Sequence, residues 1–299
     1  MFDASSLLGA TAFLGATSLI CYGGALGGIV AEAMRPQRKT VGWALGRGTP
    51  IEPDAWGLPA RTWIHTFRGA KCPVFDIGDA DPAAPTAVVL HGFARSRYDA
   101  LARLGPLLPF ARRFILPDLP GHGDARGRGT RLGADEDCFV SSLLTESTTA
   151  SLLLVGHSLG ATVAIHAATC DALRDRVQGV LALAPYERLR TPLGARLDLR
   201  GMPRAPLLGP TIATLSLLGI RERSTRAAAE QLRCPLAVIA GECDPVTPIE
   251  EAHLIAEAAK RGRFTLLAHG RHDDFHTVGR EEMSNACAWL AQQTHTLNA

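Results

Sequence analysis

The chain lacks three features that would point to particular classes of protein: paired cysteines, a large net charge and internal repeats. Its 299 residues contain seven cysteines with no C-x-x-C pair, so neither a disulfide framework nor a zinc site is expected. The net charge of +2 is too small to indicate a nucleic-acid partner. Neither a cluster of metal ligands nor a nucleotide-binding loop stands out, so no cofactor and no metal are expected. Unpaired thiols suit a reducing compartment.

Charge is also missing from the start of the chain, where no charged residue occurs between Asp3 and Glu32. Such a stretch is long enough to cross a bilayer as a helix, and residues 1–34 are therefore predicted to form a single-pass membrane anchor. Basic residues follow directly, and the positive-inside rule then places the remainder of the chain, with its catalytic domain, in the cytoplasm. These basic residues are Arg35, Arg38 and Lys39.

Two other interpretations of this segment stay open. A signal peptide would leave a secreted or periplasmic protein, and Ala31-Glu32-Ala33 resembles a cleavage site, but the expected basic start is absent. The segment also suits a helix buried in a soluble protein. Overlapping G-x-x-x-G spacings give a weak indication of pairing between two membrane helices, and the oligomeric state is left open. The glycines concerned are Gly23, Gly24, Gly27 and Gly28.

The most informative stretch is 152–161, LLLVGHSLGA, which reads as an apolar strand, a sharp turn and the start of a helix. Its centre has the pattern G-x-S-x-G, and this order of elements is the context of a nucleophile elbow. Gly156 and Gly160 fit because side chains there would collide with the neighbouring strand and helix. Ser158 is therefore the candidate nucleophile, with an ordinary glycine-rich turn as the alternative, and His157 is interpreted as a packing residue.

A second motif lies upstream, where the apolar strand Thr86–Leu90 runs into His91-Gly92-Phe93. With the elbow downstream, this H-G motif resembles that of the α/β-hydrolase superfamily, and the resemblance covers about residue 62 to the end of the chain. It implies an α/β fold in which helices flank a mostly parallel central sheet. It also implies an oxyanion hole built from the backbone N–H groups of Phe93 and Leu159. Each such donor is worth about 3 kcal/mol in comparable sites.

The same resemblance implies the other two members of a catalytic triad. The run from Gly241 to Pro248 has the pattern G-x-x-D-x-x-x-P of the family's acid loop, which gives Asp244 the acid position. The family's base follows a G-x-H pattern, which here selects His272. The order Ser158, Asp244, His272 is that of the hydrolases. The alternatives are Glu242 for the acid, and His269 or His276 for the base. A further pair, Asp118 and His122, is interpreted as shaping its own loop.

The predicted organisation is a helix over 1–34, a linker or packing segment over 35–61 and a hydrolase domain over 62–299. Within the domain, about 187–233 interrupts the strand–helix alternation with prolines and arginines, and the resemblance makes this insertion a short lid. The apolar residues of the lid would line an acyl pocket, touch the membrane, or simply seal the lid onto the body.

Together these features predict a serine hydrolase that cleaves a carboxylic ester or thioester through an acyl-serine intermediate. The substrate would be a small molecule or a lipid, and its identity and acyl length stay open. An acyltransferase and an aminopeptidase would use the same triad. From a different class, the chain could be a catalytically silent, membrane-tethered binding protein, because a fold alone does not set function.

Overall fold

Eight strands form one sheet in this computed structural model, which describes the backbone of residues 4–295 and the side chains of residues 18–293. The spatial order is β1-β2-β4-β3-β5-β6-β7-β8. Strand β2 pairs antiparallel with β1 and β4, whereas the pairs among β3 to β8 are parallel. The strands are β1 (Ala60–Phe67), β2 (Ala70–Gly78), β3 (Thr86–Leu90), β4 (Arg113–Pro117), β5 (Leu152–His157), β6 (Val177–Leu183), β7 (Leu236–Gly241) and β8 (Gly262–Leu267).

Helices cover both faces of the sheet, because its central strands are apolar on both sides. Along β5, Leu152 and Leu154 join one core cluster, whereas Leu153 and Val155 join the other. The first cluster lies under α4 (Glu136–Ser147), α5 (Leu159–Ala167), α8 (Thr225–Glu230) and α9 (Ile249–Ala258). The second lies under α3 (Arg97–Leu101) and α10 (Arg280–His295). The expected α/β sheet flanked by helices is therefore confirmed.

The segment predicted as a linker or packing segment packs against the body of the domain. It contains a short helix, α2 (Val41–Leu45), and a 3-10 turn at Pro53–Trp56. Ala44 is fully buried, and the Trp56 indole N–H donates a hydrogen bond of 3.2 Å to the Leu101 carbonyl. These contacts fix the segment beside α3.

The insertion between β6 and β7 contains α6 (Arg190–Leu199), α7 (Arg204–Leu217) and α8, of which α8 packs on the body of the domain. The lid is formed by α6 and α7. It shares a small core with the end of the N-terminal helix α1 (Ala4–Met34), where Val30 and Ala33 lie in one cluster with Leu193 and Leu215. The Tyr22 hydroxyl donates to the Pro206 carbonyl at 3.1 Å. The last turns of α1 are therefore part of the lid's packing.

The predicted membrane anchor is not supported by the part of the chain that the structure describes. Within that part, no helix combines the length and the apolar character needed to cross a bilayer. Residues 4–17 are helical in backbone, but their side chains, and residues 1–3 altogether, lie outside the described residues. The G-x-x-x-G glycines do lie within them, and a Cβ built on any of the four meets nothing within 4 Å.

Candidate active site

Ser158 occupies a strained turn between β5 and α5. Its φ of 53° and ψ of −115° place it in a region that residues with side chains seldom adopt. A Cβ at Gly156 would lie 2.1 Å from the Gly160 carbonyl oxygen, and a Cβ at Gly160 would lie 2.4 Å from the Leu90 carbonyl oxygen. Both flanking positions therefore require glycine, which is the physical reason for the G-x-S-x-G pattern.

Asp244 and His272 meet across the loops that follow β7 and β8. The Nδ1 atom of His272 lies 2.7 Å from Oδ2 of Asp244. The same carboxylate accepts hydrogen bonds from the Thr247 hydroxyl at 2.6 Å and from the backbone N–H groups of Val246 and Thr247. Burial acts to raise the pKa of Asp244, but these hydrogen bonds and the charge of His272 outweigh it, and the pKa lies below its usual value. The carboxylate is thus held ionised.

The third expected link, from Ser158 to His272, is not formed as a hydrogen bond. Within the described residues, the Ser158 hydroxyl makes no hydrogen bond. The imidazole ring of His272 forms a hydrogen bond only through Nδ1, to Asp244. Catalytic hydrogen bonds are often long before substrate binds and tighten in the complex. The structure therefore joins two of the three predicted triad residues directly and places the third on the elbow.

His157 fixes the position of His272, a role that the sequence did not reveal. Its Nε2–H donates to the His272 carbonyl at 2.6 Å, and the two imidazole rings lie 4.9 Å apart. Burial lowers the pKa of His157 well below its usual value, so the ring is neutral. Its side chain also packs against Gly92 and leaves no room for a side chain there, since a Cβ at Gly92 would lie 2.9 Å from Nδ1 of His157. His157 thus connects the elbow, the H-G loop and the histidine loop.

Phe93 and Leu159 border the same cavity as Ser158. Leu159 is the first residue of α5, so its N–H group has no acceptor inside the helix. Phe93 follows β3, and its ring meets the ring of His122 edge-on at 5.6 Å. Within the described residues, neither backbone N–H group donates a hydrogen bond. Both amides are thus available to a developing negative charge.

The lid covers one side of this cavity and leaves little open space in it. The open space is about 20 Å³, which is enough for about one water molecule. One side is formed by the body of the domain, and the other by the lid helix α6 and the residues leading to it. The lining comprises Phe93, Leu132, Ser158, Leu159, Tyr186, Leu189, Pro192, Leu193 and Arg196. The unliganded cavity is therefore too small to hold an acyl chain as it stands.

The alternative acid and bases lie away from this arrangement. The Glu242 carboxylate accepts a hydrogen bond from the His269 backbone N–H at 2.8 Å, and the side chain of His269 is 91% exposed. His276 pairs instead with the Asp273 carbonyl at 3.0 Å. The donor atoms of Glu242, Cys243 and His269 lie within 4.8 Å of one another and could bind a divalent metal ion at the surface, a grouping that the sequence spacing did not suggest.

Asp118 and His122 do not pair with each other. The Asp118 carboxylate binds the Arg97 guanidinium and accepts from the backbone N–H groups of Arg97 and Asp124, whereas Nδ1–H of His122 donates to the Pro120 carbonyl at 3.0 Å. Burial raises the pKa of Asp118 to about 6 and lowers that of His122 to about 3. This geometry ties a loop together.

Comparison with known proteins identifies the family to which this architecture corresponds. Residues 87–286 match the alpha/beta hydrolase family. The chain belongs to that family. The match begins in β3, ends within α10, and includes the elbow and both loops that carry Asp244 and His272.

Individual relatives match the chain over part of its length or at low sequence identity. Over 117 residues the chain is 34% identical to 2-succinyl-6-hydroxy-2,4-cyclohexadiene-1-carboxylate synthase of Pectobacterium atrosepticum, which covers 38% of this chain and 44% of that enzyme. The chain thus matches about half the length of its curated relatives. Among solved structures, an esterase of Pyrococcus furiosus has a TM-score of 0.65 at 18% identity, covering 82% of this chain and 95% of that one. A membrane phospholipase A has a TM-score of 0.59 at 16% identity, covering 97% and 99%.

Proposed function

We propose that this alpha/beta hydrolase is a serine hydrolase that cleaves a carboxylic ester or thioester through an acyl-Ser158 intermediate. The observation that carries the proposal is the combination of Ser158 on a strained elbow with the 2.7 Å contact between Asp244 and His272. This combination is typical of a nucleophile with an oriented base. The esterase fold of the structural relatives supports the same class of chemistry.

In the proposed reaction, His272 removes the proton of the Ser158 hydroxyl as the oxygen attacks the substrate carbonyl. The backbone N–H groups of Phe93 and Leu159 donate to the oxyanion of the tetrahedral intermediate. The intermediate collapses when His272 returns the proton to the departing alcohol or thiol, which leaves an acyl-serine. Water then loses a proton to His272 and attacks the acyl group, and His272 passes this proton to the Ser158 oxygen as the acid is released. Asp244 stabilises the imidazolium at each stage.

The decisive experiment is labelling with a fluorophosphonate probe together with hydrolysis of 4-nitrophenyl esters. We expect the wild-type protein to be labelled and Ser158→Ala to lose both labelling and turnover. Ser216→Ala, which removes an exposed serine of the lid helix α7, is the matched control and should behave as wild type. Labelling that persists in Ser158→Ala would refute the assignment, and absence of both activities in the wild type would favour the silent binding protein.

Acyl transfer is the second candidate, and the mostly apolar lining of the cavity is the observation that favours it. Apolar walls around Ser158 disfavour water next to an acyl-serine and favour an organic acceptor. Product analysis with an ester donor, in the presence of alcohols and amines, separates the two activities. Aminopeptidase activity, proposed from the sequence resemblance alone, is checked with aminoacyl 4-nitroanilides.

Membrane tethering with a cytoplasmic catalytic domain stays a proposal drawn from the uncharged stretch before Glu32. Removing residues 2–17 keeps the turns of α1 that pack on the lid and tests the tether alone. Tethering predicts that the full chain stays with membranes after carbonate extraction and that the truncated chain is released. Recovery of both proteins in the soluble fraction would refute it.

A further inference from the structure

Arg196 brings a positive charge to the cavity that contains Ser158. It lies on the lid helix α6, and its guanidinium carbon sits 4.4 Å from the centre of the Phe93 ring. The other residues that line the cavity are apolar or carry a hydroxyl group, so the guanidinium is the one charged group among the described lining residues. An anionic substrate group in this cavity would be attracted to this cation.

Among the described residues, Arg196 makes no direct ion pair and no hydrogen bond. Its guanidinium contacts the Phe93 ring, and Glu32, which is paired with Arg200, attracts it only at longer range. Burial lowers the pKa of Arg196, and the charge of Arg200 lowers it further. The side chain of Arg196 is half-buried, so holding its charge without a direct ion pair costs free energy, part of which a bound anion would recover.

Neighbouring arginines of the lid differ in this respect. Arg200 follows Arg196 by four residues, directly after the end of α6, and its exposed guanidinium pairs with Glu32. Arg190 pairs with Glu222 and Arg204 with Asp198. Arg190, Arg200 and Arg204 thus each have a carboxylate within ion-pair distance, whereas no described carboxylate lies that close to Arg196.

We propose that Arg196 is a specificity residue that binds an anionic group of the substrate, a carboxylate or a phosphate. The planar guanidinium donates two parallel hydrogen bonds to either group. The Phe93 ring holds the guanidinium in place through a cation–π contact. This inference rests on the proposed function, and it defines the substrate class as esters or thioesters that carry a negative charge close to the reacting carbonyl.

The test compares charged and neutral substrates of similar size. 4-Nitrophenyl hemiglutarate carries a carboxylate on the acyl side, and 4-nitrophenyl hexanoate is its neutral counterpart. 1-Hexanoyl-glycerol 3-phosphate and 1-hexanoyl-glycerol form the corresponding pair for a phosphate on the alcohol side. The variants are Arg196→Gln, Arg196→Lys and the control Arg200→Gln, which removes the paired arginine one turn away.

We expect wild type to prefer the charged member of at least one pair. Arg196→Gln should lower kcat/KM for that substrate about tenfold or more, because a hydrogen bond to a charged group is lost, and should leave the neutral ester within about twofold. Arg196→Lys should restore part of the preference, and Arg200→Gln should keep all of it. The pair that shows the effect distinguishes carboxylate from phosphate. Equal losses on charged and neutral esters would show that Arg196 only latches the lid, and absence of a preference in the wild type would overturn the inference.

Binding provides a readout that does not need turnover. Calorimetric titration of Ser158→Ala with the two 4-nitrophenyl esters should show tighter binding of hemiglutarate, and adding Arg196→Gln should abolish the difference. If the wild type hydrolyses neither ester but this difference in binding persists, the proposed function fails and the assignment of Arg196 stands. If the wild type hydrolyses both esters through Ser158 without discrimination, the function stands and the assignment of Arg196 fails.

Discussion

Two pairs of aspartate and histidine lie in loops that follow the carboxyl ends of strands in the sheet. One pair forms a direct contact, and the other does not. Asp244 and His272 contact each other at 2.7 Å and lie on separate loops. Asp118 and His122 lie on one loop, and each bonds to other groups. Hydrogen bonds keep the pKa of Asp244 low, whereas burial raises the pKa of Asp118 to about 6. Residue type alone therefore does not distinguish a catalytic pair from a structural one.

The difference arises from what surrounds each carboxylate. Thr247 and two backbone N–H groups hold Asp244 with one oxygen directed at an imidazole. Asp118 directs its oxygens at Arg97 and at backbone N–H groups, and none of the described histidines makes a hydrogen bond to it. The first arrangement orients a base, and the second anchors a loop. Substitutions in the two pairs should therefore affect different properties of the protein.

The largest effect is expected for Asp244→Asn. An amide cannot hold the tautomer that leaves Nε2 of His272 free to accept a proton, so kcat should fall about 10³- to 10⁴-fold. The free energy of unfolding should change by only about 1–2 kcal/mol, because most of the surrounding hydrogen bonds keep an acceptor. Steady-state hydrolysis and urea unfolding measure the two quantities. A variant that keeps full activity would remove Asp244 from the triad.

Asp118→Ala should show the reverse pattern. It removes the buried counter-ion of the Arg97 guanidinium and leaves only the partly exposed carboxylate of Asp124, at 2.9 Å, which should lower the free energy of unfolding by about 3 kcal/mol. Protein that remains folded at low temperature should still react with the fluorophosphonate probe. Asp171→Ala is the control, because the pair of Asp171 with Arg174 is exposed and should contribute less than about 1 kcal/mol. If Asp118→Ala abolishes labelling while the protein stays fully folded, the loop has a catalytic role.

A smaller effect is expected on the pH dependence of stability, because the buried ring of His122 should make the protein less stable at low pH. Burial lowers the pKa of His122 to about 3, and the charge of His91 contributes. The folded state therefore favours the neutral ring, and this contribution is complete above the ordinary pKa of about 6.5 and is lost as the pH falls below it. Between pH 7.5 and 5 the loss should be about 2 kcal/mol.

Urea unfolding of His122→Gln at the two pH values tests this figure. The fall in stability of the variant should be smaller than that of wild type by about this amount. His253→Gln, at an exposed position of α9, controls for the removal of a histidine. Equal falls in the His122 variant and in wild type would show that the ring of His122 titrates normally.

The sequence predicted the parts of this molecule that local rules determine. The elbow could be found because the close approach of Gly156 to Gly160, and of Gly160 to Leu90, leaves no room for a Cβ. The mostly parallel sheet follows from runs of apolar residues between turns, such as Thr86–Leu90. The loops after β7 and β8 were recognised through resemblance to the family, and Asp244 and His272 meet there.

The other features of the site depend on contacts between segments that are far apart in the sequence, and no local pattern predicts such contacts. Nothing in the spacing of α6 indicates that it closes over Ser158. Arg196 is one of nine arginines between residues 187 and 233, and only the tertiary structure separates it from the eight others. The contact of His157 with the His272 carbonyl is equally long-range, since 115 residues separate them. The docking of α1 on the lid was also not anticipated.

The smallest effect is expected for Glu242→Gln. This variant compares the two carboxylates of one loop, Glu242 and Asp244. Glu242 lies two residues before Asp244 and was the alternative acid, but its carboxylate is half-exposed and bonds to the His269 backbone N–H. A glutamine oxygen keeps that hydrogen bond, so kcat and kcat/KM should stay within about threefold of wild type, and the free energy of unfolding within about 0.5 kcal/mol. A loss comparable with that of Asp244→Asn would mean that the base reorients toward Glu242 when substrate binds. In that case the 2.7 Å contact of His272 with Asp244 would belong to a resting state.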